Sequence, residues 1–140
     1  MIKIEVNRVD EAYAFEGKDN NGHLVRMDGA VEIGGNNSGI RPMQLLLMSL
    51  GGCSGIDIVS ILKKQRQELT NFNISIEGER EQGKEPALWK QVNVTFKFTG
   101  NVDAEKAKKA CALSIDKYCS VAATLRAAGC VVDWKVEVSQ

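Results

Sequence analysis

A chain of 140 residues, 44% hydrophobic and 26% charged, suits one domain spanning residues 1–140, burying roughly two thirds of the surface its unfolded form exposes. Its 18 basic and 18 acidic residues cancel, so no overall field recruits nucleic acid or an anionic membrane, and neither is expected as a partner. The basic run Lys63-Lys64-Gln65-Arg66 fits the solvated C-terminal end of a helix, where cations complement the dipole.

No basic n-region and apolar h-region follow Met1, so a secretory leader is not expected and the protein is assigned to the cytoplasm. There thiols stay reduced, and a disulfide would be transient and catalytic rather than structural. Ile2–Arg8 alternates with the period of a strand, as does part of Ala12–Glu16, and the Asn20-Asn21-Gly22 turn leads to His23–Asp28. These segments predict an antiparallel meander. Gly29–Arg41 holds Gly34-Gly35-Asn36-Asn37-Ser38-Gly39, too long and irregular for a hairpin, in the class of loops that are functional or mobile.

Pro42 suits the first turn of a helix expected to reach about Leu69, apolar nearly all round in its first half and therefore enclosed by other elements. Gly51, Gly52, Gly55 and Asp57 interrupt its apolar run, which favours a buried core helix over a membrane span. The Gly51-Gly52 pair carries a cost of about 1 kcal/mol per glycine relative to alanine, tolerated where another backbone packs close. Asn73–Gly78 and Gln91–Thr99 alternate like paired strands around a polar turn at Gly83–Pro86. Asp103 is placed to cap a helix over Ala104–Asp116. A break near Lys117-Tyr118 precedes a shorter helix ending before Gly129, and Val131–Val138 returns as a strand. Three strands, a helix, two strands, two helices and a strand make an α+β domain.

The four cysteines, at 53, 111, 119 and 130, form no C-x-x-C pair, and the single histidine, His23, lies far from them in sequence. A tetrahedral zinc site is therefore not expected, nor a Cys–His hydrolase, and His23 reads as a structural or surface residue. Cys111 and Cys130 read as small buried hydrophobes. Cys53 reads equally as core filler or as a reactive thiol; its apolar surroundings raise a thiol's pKa, and Asp57 one turn later opposes the thiolate further. Cys119, opening a helix close to Lys117, has the better local case for an acidified thiol. A sequence separation of 66 residues neither forbids nor shows contact between Cys53 and Cys119.

The run Arg41-Pro-Met-Gln-Leu-Leu-Leu-Met-Ser-Leu-Gly-Gly-Cys-Ser-Gly-Ile-Asp-Ile-Val-Ser-Ile-Leu-Lys-Lys64, with proline eleven positions before cysteine, followed by Tyr118-Cys-Ser-Val-Ala122, resembles the OsmC/Ohr family of thiol peroxidases. The resemblance covers nearly the whole chain. It implies an OsmC-like α+β fold, antiparallel sheets wrapped around a long central apolar helix, in an intertwined homodimer with active sites at the subunit interface. By the same resemblance Cys53 matches the peroxidatic thiol, which attacks an organic hydroperoxide and becomes a sulfenic acid. Cys119 matches the resolving thiol, and a dithiol reductant regenerates the pair; no cofactor or metal is implied. Peroxidases of the family place a glutamate directly after the motif proline, to orient an arginine that activates the thiolate. Here that position is Met43, followed by neutral Gln44, and Arg8, Arg26 and Arg41 are the arginines within reach of the role. Met27-Asp28-Gly29 and the Gly-Gly-Cys-Ser run resemble the family's less characterised redox-protein branch. The alternative expectation is a dimeric module of the same fold that binds a small apolar ligand; a redox sensor passing its disulfide to a partner protein ranks behind both.

Overall fold

The computed structural model describes all 140 residues. In chain order the elements are β1 (Glu5–Arg8), β2 (Phe15–Lys18), β3 (Leu24–Met27), a 3-10 turn (Val31–Ile33), α1 (Pro42–Lys64), β4 (Asn71–Arg80), β5 (Trp89–Thr99), α2 (Ala104–Leu113), a π turn (Ser114–Tyr118), α3 (Ser120–Ala127) and β6 (Val131–Ser139). This is the α+β order expected from the sequence. By compactness the chain divides into Met1–Leu46 and Leu47–Gln140.

The core of the second unit follows from strand parity. Residues two apart on a strand share a face. The register of β4 on β5 pairs Phe72 with Phe98, Ile74 with Phe96, Ile76 with Val94 and Gly78 with Val92. That of β6 on β5 pairs Val92 with Val132, Val94 with Trp134, Phe96 with Val136 and Phe98 with Val138. Every even-numbered apolar residue therefore falls on one face, and Val92, Val94, Phe96 and Phe98 are fully or almost fully buried. Burying each such side chain contributes about 1.5–3 kcal/mol. Phe72 stacks on Phe98 with centroids 4.5 Å apart, and Phe96 meets Trp134 edge-on at 6.3 Å.

The sheet order is β4-β5-β6, and β6 runs parallel to β5. This corrects the expectation of purely antiparallel sheets. The α2–π–α3 segment is a crossover long enough to bring the chain back in the same direction, which a hairpin does not do. Asp103 caps α2 as expected, its Oδ1 accepting from the Lys106 N–H at 2.9 Å.

Helix α1 ends at Lys64, short of the expected Leu69. Arg66 adopts φ 57°, and the Gln67 N–H reaches back to the Leu62 carbonyl at 3.0 Å while the Arg66 N–H meets Lys63 O at 3.1 Å. This is a Schellman closure with arginine where glycine is usual, so no glycine signalled it. Leu50, Ser54, Ile58 and Leu62 recur every fourth residue and are completely buried. Met48, Gly52, Ile56 and Val59 form the opposite stripe and are exposed. Length and composition alone would let α1 cross a membrane (mean hydropathy 1.9 over its most apolar window, 28% of it buried), yet its buried stripe belongs to the core cluster formed with β5. Within the second unit the other elements cover one stripe of α1 only, so the expected enclosure on all sides is not completed there.

In the first unit β1, β2 and β3 form the expected antiparallel meander. Strand β2 begins at Phe15, later than the alternation suggested. Asp10 Oδ1 accepts from the Ala12 and Ala14 amides at 2.8 and 3.1 Å, which folds those residues into a turn and takes them off the ladder. The glycine-rich loop after β3 is tied to one carboxylate. Asp28, 2% exposed, accepts from the Gly29 N–H (2.7 Å), the Asn36 N–H (3.1 Å), and the Ser38 N–H and Oγ (3.0 and 2.8 Å). Gly35 stands where a Cβ would lie 2.1 Å from the Gly29 carbonyl oxygen, so only glycine lets the loop close this tightly.

The hydrogen bonds from Ser38, Gly29 and Asn36 pull the Asp28 carboxyl down to about 2 from the ordinary 3.8. A depressed carboxyl contributes order above its unfolded value and loses it as pH falls through the folded one. The Asn36 and Ser38 amides should therefore lose hydrogen-exchange protection as pH drops from about 4 towards 2. In Asp28→Asn the same amides should be poorly protected already at pH 7; exchange followed by NMR or mass spectrometry checks both.

Candidate functional site

The site lies within the second unit, where the middle of α1 meets the π turn and the start of α3. Cys53 sits beside the buried stripe, adjoining Ser54, and is half-buried. Two glycines flank it on the helix. A Cβ on Gly51 would stand 3.2 Å from Ile76 Cδ1, and one on Gly55 would stand 3.1 Å from Ile74 Cδ1. Their bare backbones let β4 pack against α1 on either side of the thiol. Gly52 has nothing within 4 Å of its would-be Cβ, so the glycine pair divides its work: Gly51 packs inward and Gly52 faces open space. With Gly55, Ile56, Val59, Phe72 and Ile74, Gly52 lines an apolar groove of about 490 Å³.

Cys119 is the N-cap of α3, 2% exposed, its Sγ accepting from the Ala122 N–H at 3.4 Å. Its thiol lies within hydrogen-bonding reach of the Cys53 thiol. The fold thus brings together two cysteines 66 positions apart, both as free thiols. Cys111 is fully buried in α2, which pushes its thiol up to about 12, and Cys130 is buried before β6 with its Sγ 3.6 Å from Val131 O. Both fit the expected role of small core residues. His23 lies on the surface with Nδ1 2.8 Å from Asp19 Oδ2, as expected.

The electrostatics of Cys119 correct the sequence reading. Burial pushes its thiol up to about 11, with the Cys53 side chain raising it further, and the Ala122 amide only partly offsets this. Lys117 does not acidify it: that ammonium lies over the Tyr118 ring, 5.3 Å from its centroid, on an exposed turn. The three candidate arginines bond within the first unit. Arg8 donates to the carbonyls of Glu11 and Ala12, Arg26 to Glu16 and Ser38, and Arg41 to Gly39 O and Asn37 Oδ1. Met43 and Gln44 occupy the first turn of α1 after Pro42.

One member of the site was not singled out from the sequence. Ser114, completely buried, places its Oγ 3.0 Å from Asp57 Oδ2 and 3.2 Å from the Ser54 carbonyl oxygen. Its own carbonyl accepts from the Cys119 N–H at 2.7 Å, closing the π turn. Hydrophobic periodicity does not distinguish a π turn from a last turn of α-helix, so the helix was expected to run on to Asp116. A buried serine between two apolar residues, Leu113 and Ile115, is the only mark it leaves in the sequence.

A family model described as OsmC-like protein matches residues 35–135. Protein YhfA of Escherichia coli K12 is 41% identical over 123 residues, covering 84% of this chain and 85% of its own length. The chain belongs to the OsmC-like family. A crystal structure of a hypothetical protein from Aquifex aeolicus superposes with a TM-score of 0.81 at 31% identity, over 100% of this chain and 98% of that one. An organic hydroperoxide resistance protein from Elizabethkingia anophelis, 15% identical, shares the fold with a TM-score of 0.74, over 99% of this chain and 96% of that one. OsmC-like members thus retain the architecture where little sequence is shared.

If Cys119 attacks as a thiolate, its supply rises with pH, since burial holds the reduced thiol well above its ordinary value. Resolution of a pre-formed Cys53 sulfenic acid by Cys119 should therefore accelerate as pH rises from 7 to 10. Quenched-flow alkylation with peptide mass spectrometry measures this directly.

Proposed function

We propose that this protein is a thiol-dependent peroxidase that reduces organic hydroperoxides through Cys53 and Cys119. The observation carrying the reading is the paired placement of the two thiols, one reachable from solvent and the other buried beside it. The Cys53 thiolate attacks the terminal oxygen of the hydroperoxide, the O–O bond breaks, and the alcohol leaves as Cys53 becomes a sulfenic acid. The Cys119 sulfur then attacks the Cys53 sulfur, water leaves, and a disulfide forms. A dithiol reductant returns both cysteines to thiols by exchange. The apolar residues around Cys53 favour an organic over an inorganic peroxide. The name of the Elizabethkingia relative, an organic hydroperoxide resistance protein, agrees with this substrate class. Arginine activation of the kind seen with a motif glutamate is not part of the proposal, since Met43 stands at that position.

The working unit in this reading is a homodimer in a reducing cytoplasm, with residues 1–140 acting as one OsmC-like domain. The exposed stripe Met48, Gly52, Ile56 and Val59 supports a second copy's α1 as the element that covers it, because a continuous apolar stripe beside an apolar groove is unfavourable in water. Ile56→Glu should convert the dimer to monomer in sedimentation velocity at micromolar concentration, since a carboxylate has no partner in an apolar helix contact.

Turnover with cumene hydroperoxide and dithiothreitol tests the chemistry. Cys53→Ser should lower it by roughly 10⁴-fold or more. Cys119→Ser should still consume one hydroperoxide and leave Cys53 as a sulfenic acid trappable by dimedone, or over-oxidised. Full turnover in Cys53→Ser would eliminate the proposal. Wild-type thiols that stay reduced would do so too, and a dimeric apolar-ligand-binding module of the same fold would then be the leading reading.

A further inference from the structure

We propose that the Asp57–Ser114 hydrogen bond is a positioning device that holds Cys119 in register with Cys53 and so decides whether an oxidised Cys53 is captured as a disulfide. The inference rests on the peroxidase reading above and adds to it two residues that contact neither substrate nor the reacting sulfurs. Helix α1 makes two attachments to the same short segment. Cys53 meets Cys119, and Asp57, one helical turn on, meets Ser114. The segment between those two attachments is the π turn, closed by the 2.7 Å bond from the Cys119 N–H to the Ser114 carbonyl. Ser114 therefore acts at both ends of the arrangement. Its side chain fixes the turn to α1, and its backbone fixes Cys119 to the turn.

The chemistry of the pair suits anchoring. Ser114 has one hydroxyl hydrogen and two acceptors in range, the Asp57 carboxylate at 3.0 Å and the Ser54 carbonyl at 3.2 Å. An ionised carboxylate is the stronger acceptor, so the hydrogen is directed to Asp57. Ser54 directs its own hydroxyl to Leu50 O at 2.8 Å and does not compete. A single π turn is rare and occurs frequently at functional sites. Disulfide closure in turn demands specific geometry, with Cα atoms separated by about 4.4–6.8 Å. A slip of the turn along α1 carries Cys119 away from Cys53 while leaving Cys53 in place.

The sulfenic acid on Cys53 has two fates. It condenses with the Cys119 thiol, releasing water, or it meets a second hydroperoxide, takes a second oxygen and becomes a sulfinic acid as another alcohol leaves. The partition between them reports the position of Cys119 and is independent of how fast the sulfenic acid formed. The ratio is therefore insensitive to any change that replacing Asp57, one helical turn from Cys53, makes to the first step. Reduced full-length protein is mixed with rising equivalents of cumene hydroperoxide, quenched by alkylation and analysed by peptide mass spectrometry. Ser114→Ala should raise the sulfinic-to-disulfide ratio about tenfold, the loss expected for one charge-assisted hydrogen bond in a barrier. Asp57→Asn, which keeps a weaker acceptor, should raise it less, and the double variant should be no worse than Ser114→Ala, because the two act as one unit. Wild-type partition in both folded single variants would overturn the inference and leave the peroxidase reading intact. A wild-type protein that forms no Cys53–Cys119 disulfide would remove both. Additive effects in the double variant would also overturn it, by showing that Asp57 and Ser114 act separately.

Discussion

The arrangement depends on the way α1 is divided lengthwise. Its stripe of Leu50, Ser54, Ile58 and Leu62 is sealed against the rest of the chain, and the stripe of Met48, Gly52, Ile56 and Val59 is not. Cys53 and Asp57 fall beside the sealed stripe. A helix with one buried and one open apolar face positions groups at its edge in two ways at once. They are rigid because the buried side is close-packed, and reachable because the other side is not. The glycines at 51 and 55 sharpen this edge, since β4 approaches α1 closely enough that a methyl group at either position would press on Ile76 or Ile74.

Two opposing effects act on Cys119, and the structure decides between them. A helix N-terminus stabilises an anion by only about 0.3–1 kcal/mol, and α3 is the shortest of the three α-helices. Burial beside Cys53 works against the thiolate and wins, carrying the thiol above its ordinary value. What is lost in thiolate supply is regained through placement. A group held beside its target reacts without first having to meet it, which offsets a low thiolate fraction at neutral pH. On the proposed chemistry Cys119 need not be acidic. It needs to be close, and the turn that carries it is bonded to α1 through the buried Ser114.

The legible parts of the fold were those with a local cause. The alternation of Val92, Val94, Phe96 and Phe98 forecasts β5, Asp103 forecasts the start of α2, and Gly129 forecasts the end of α3 because each acts within a few residues of itself. The misplaced boundaries have causes that the local pattern conceals. Asp10 captures the amides that would have begun β2 earlier, and Arg66 closes α1 in a conformation that glycine normally announces. The parallel pairing of β6 is a consequence of topology, since the same alternating sequence would pair equally well antiparallel. At the site, Cys53 and Cys119 stood out because thiols are rare and chemically distinct. Ser114 did not, because its importance lies in a contact with Asp57, 57 positions away.

The same contrast separates two carboxylates, the buried Asp28 and the half-buried Asp57. Asp28 is satisfied almost wholly by backbone and side chain within ten residues of itself, and its loop is accordingly a local object. Asp57 is bonded across the core to a serine on another helix, and that single bond spans the place where two thiols must meet. A local carboxylate fixes a loop whose loss would leave other elements standing. A long-range one couples elements, so that a change of one oxygen atom at Ser114 is felt at a sulfur five residues later. On the proposed chemistry, this is the physical ground on which a polar contact of modest net contribution to stability governs an outcome it never touches.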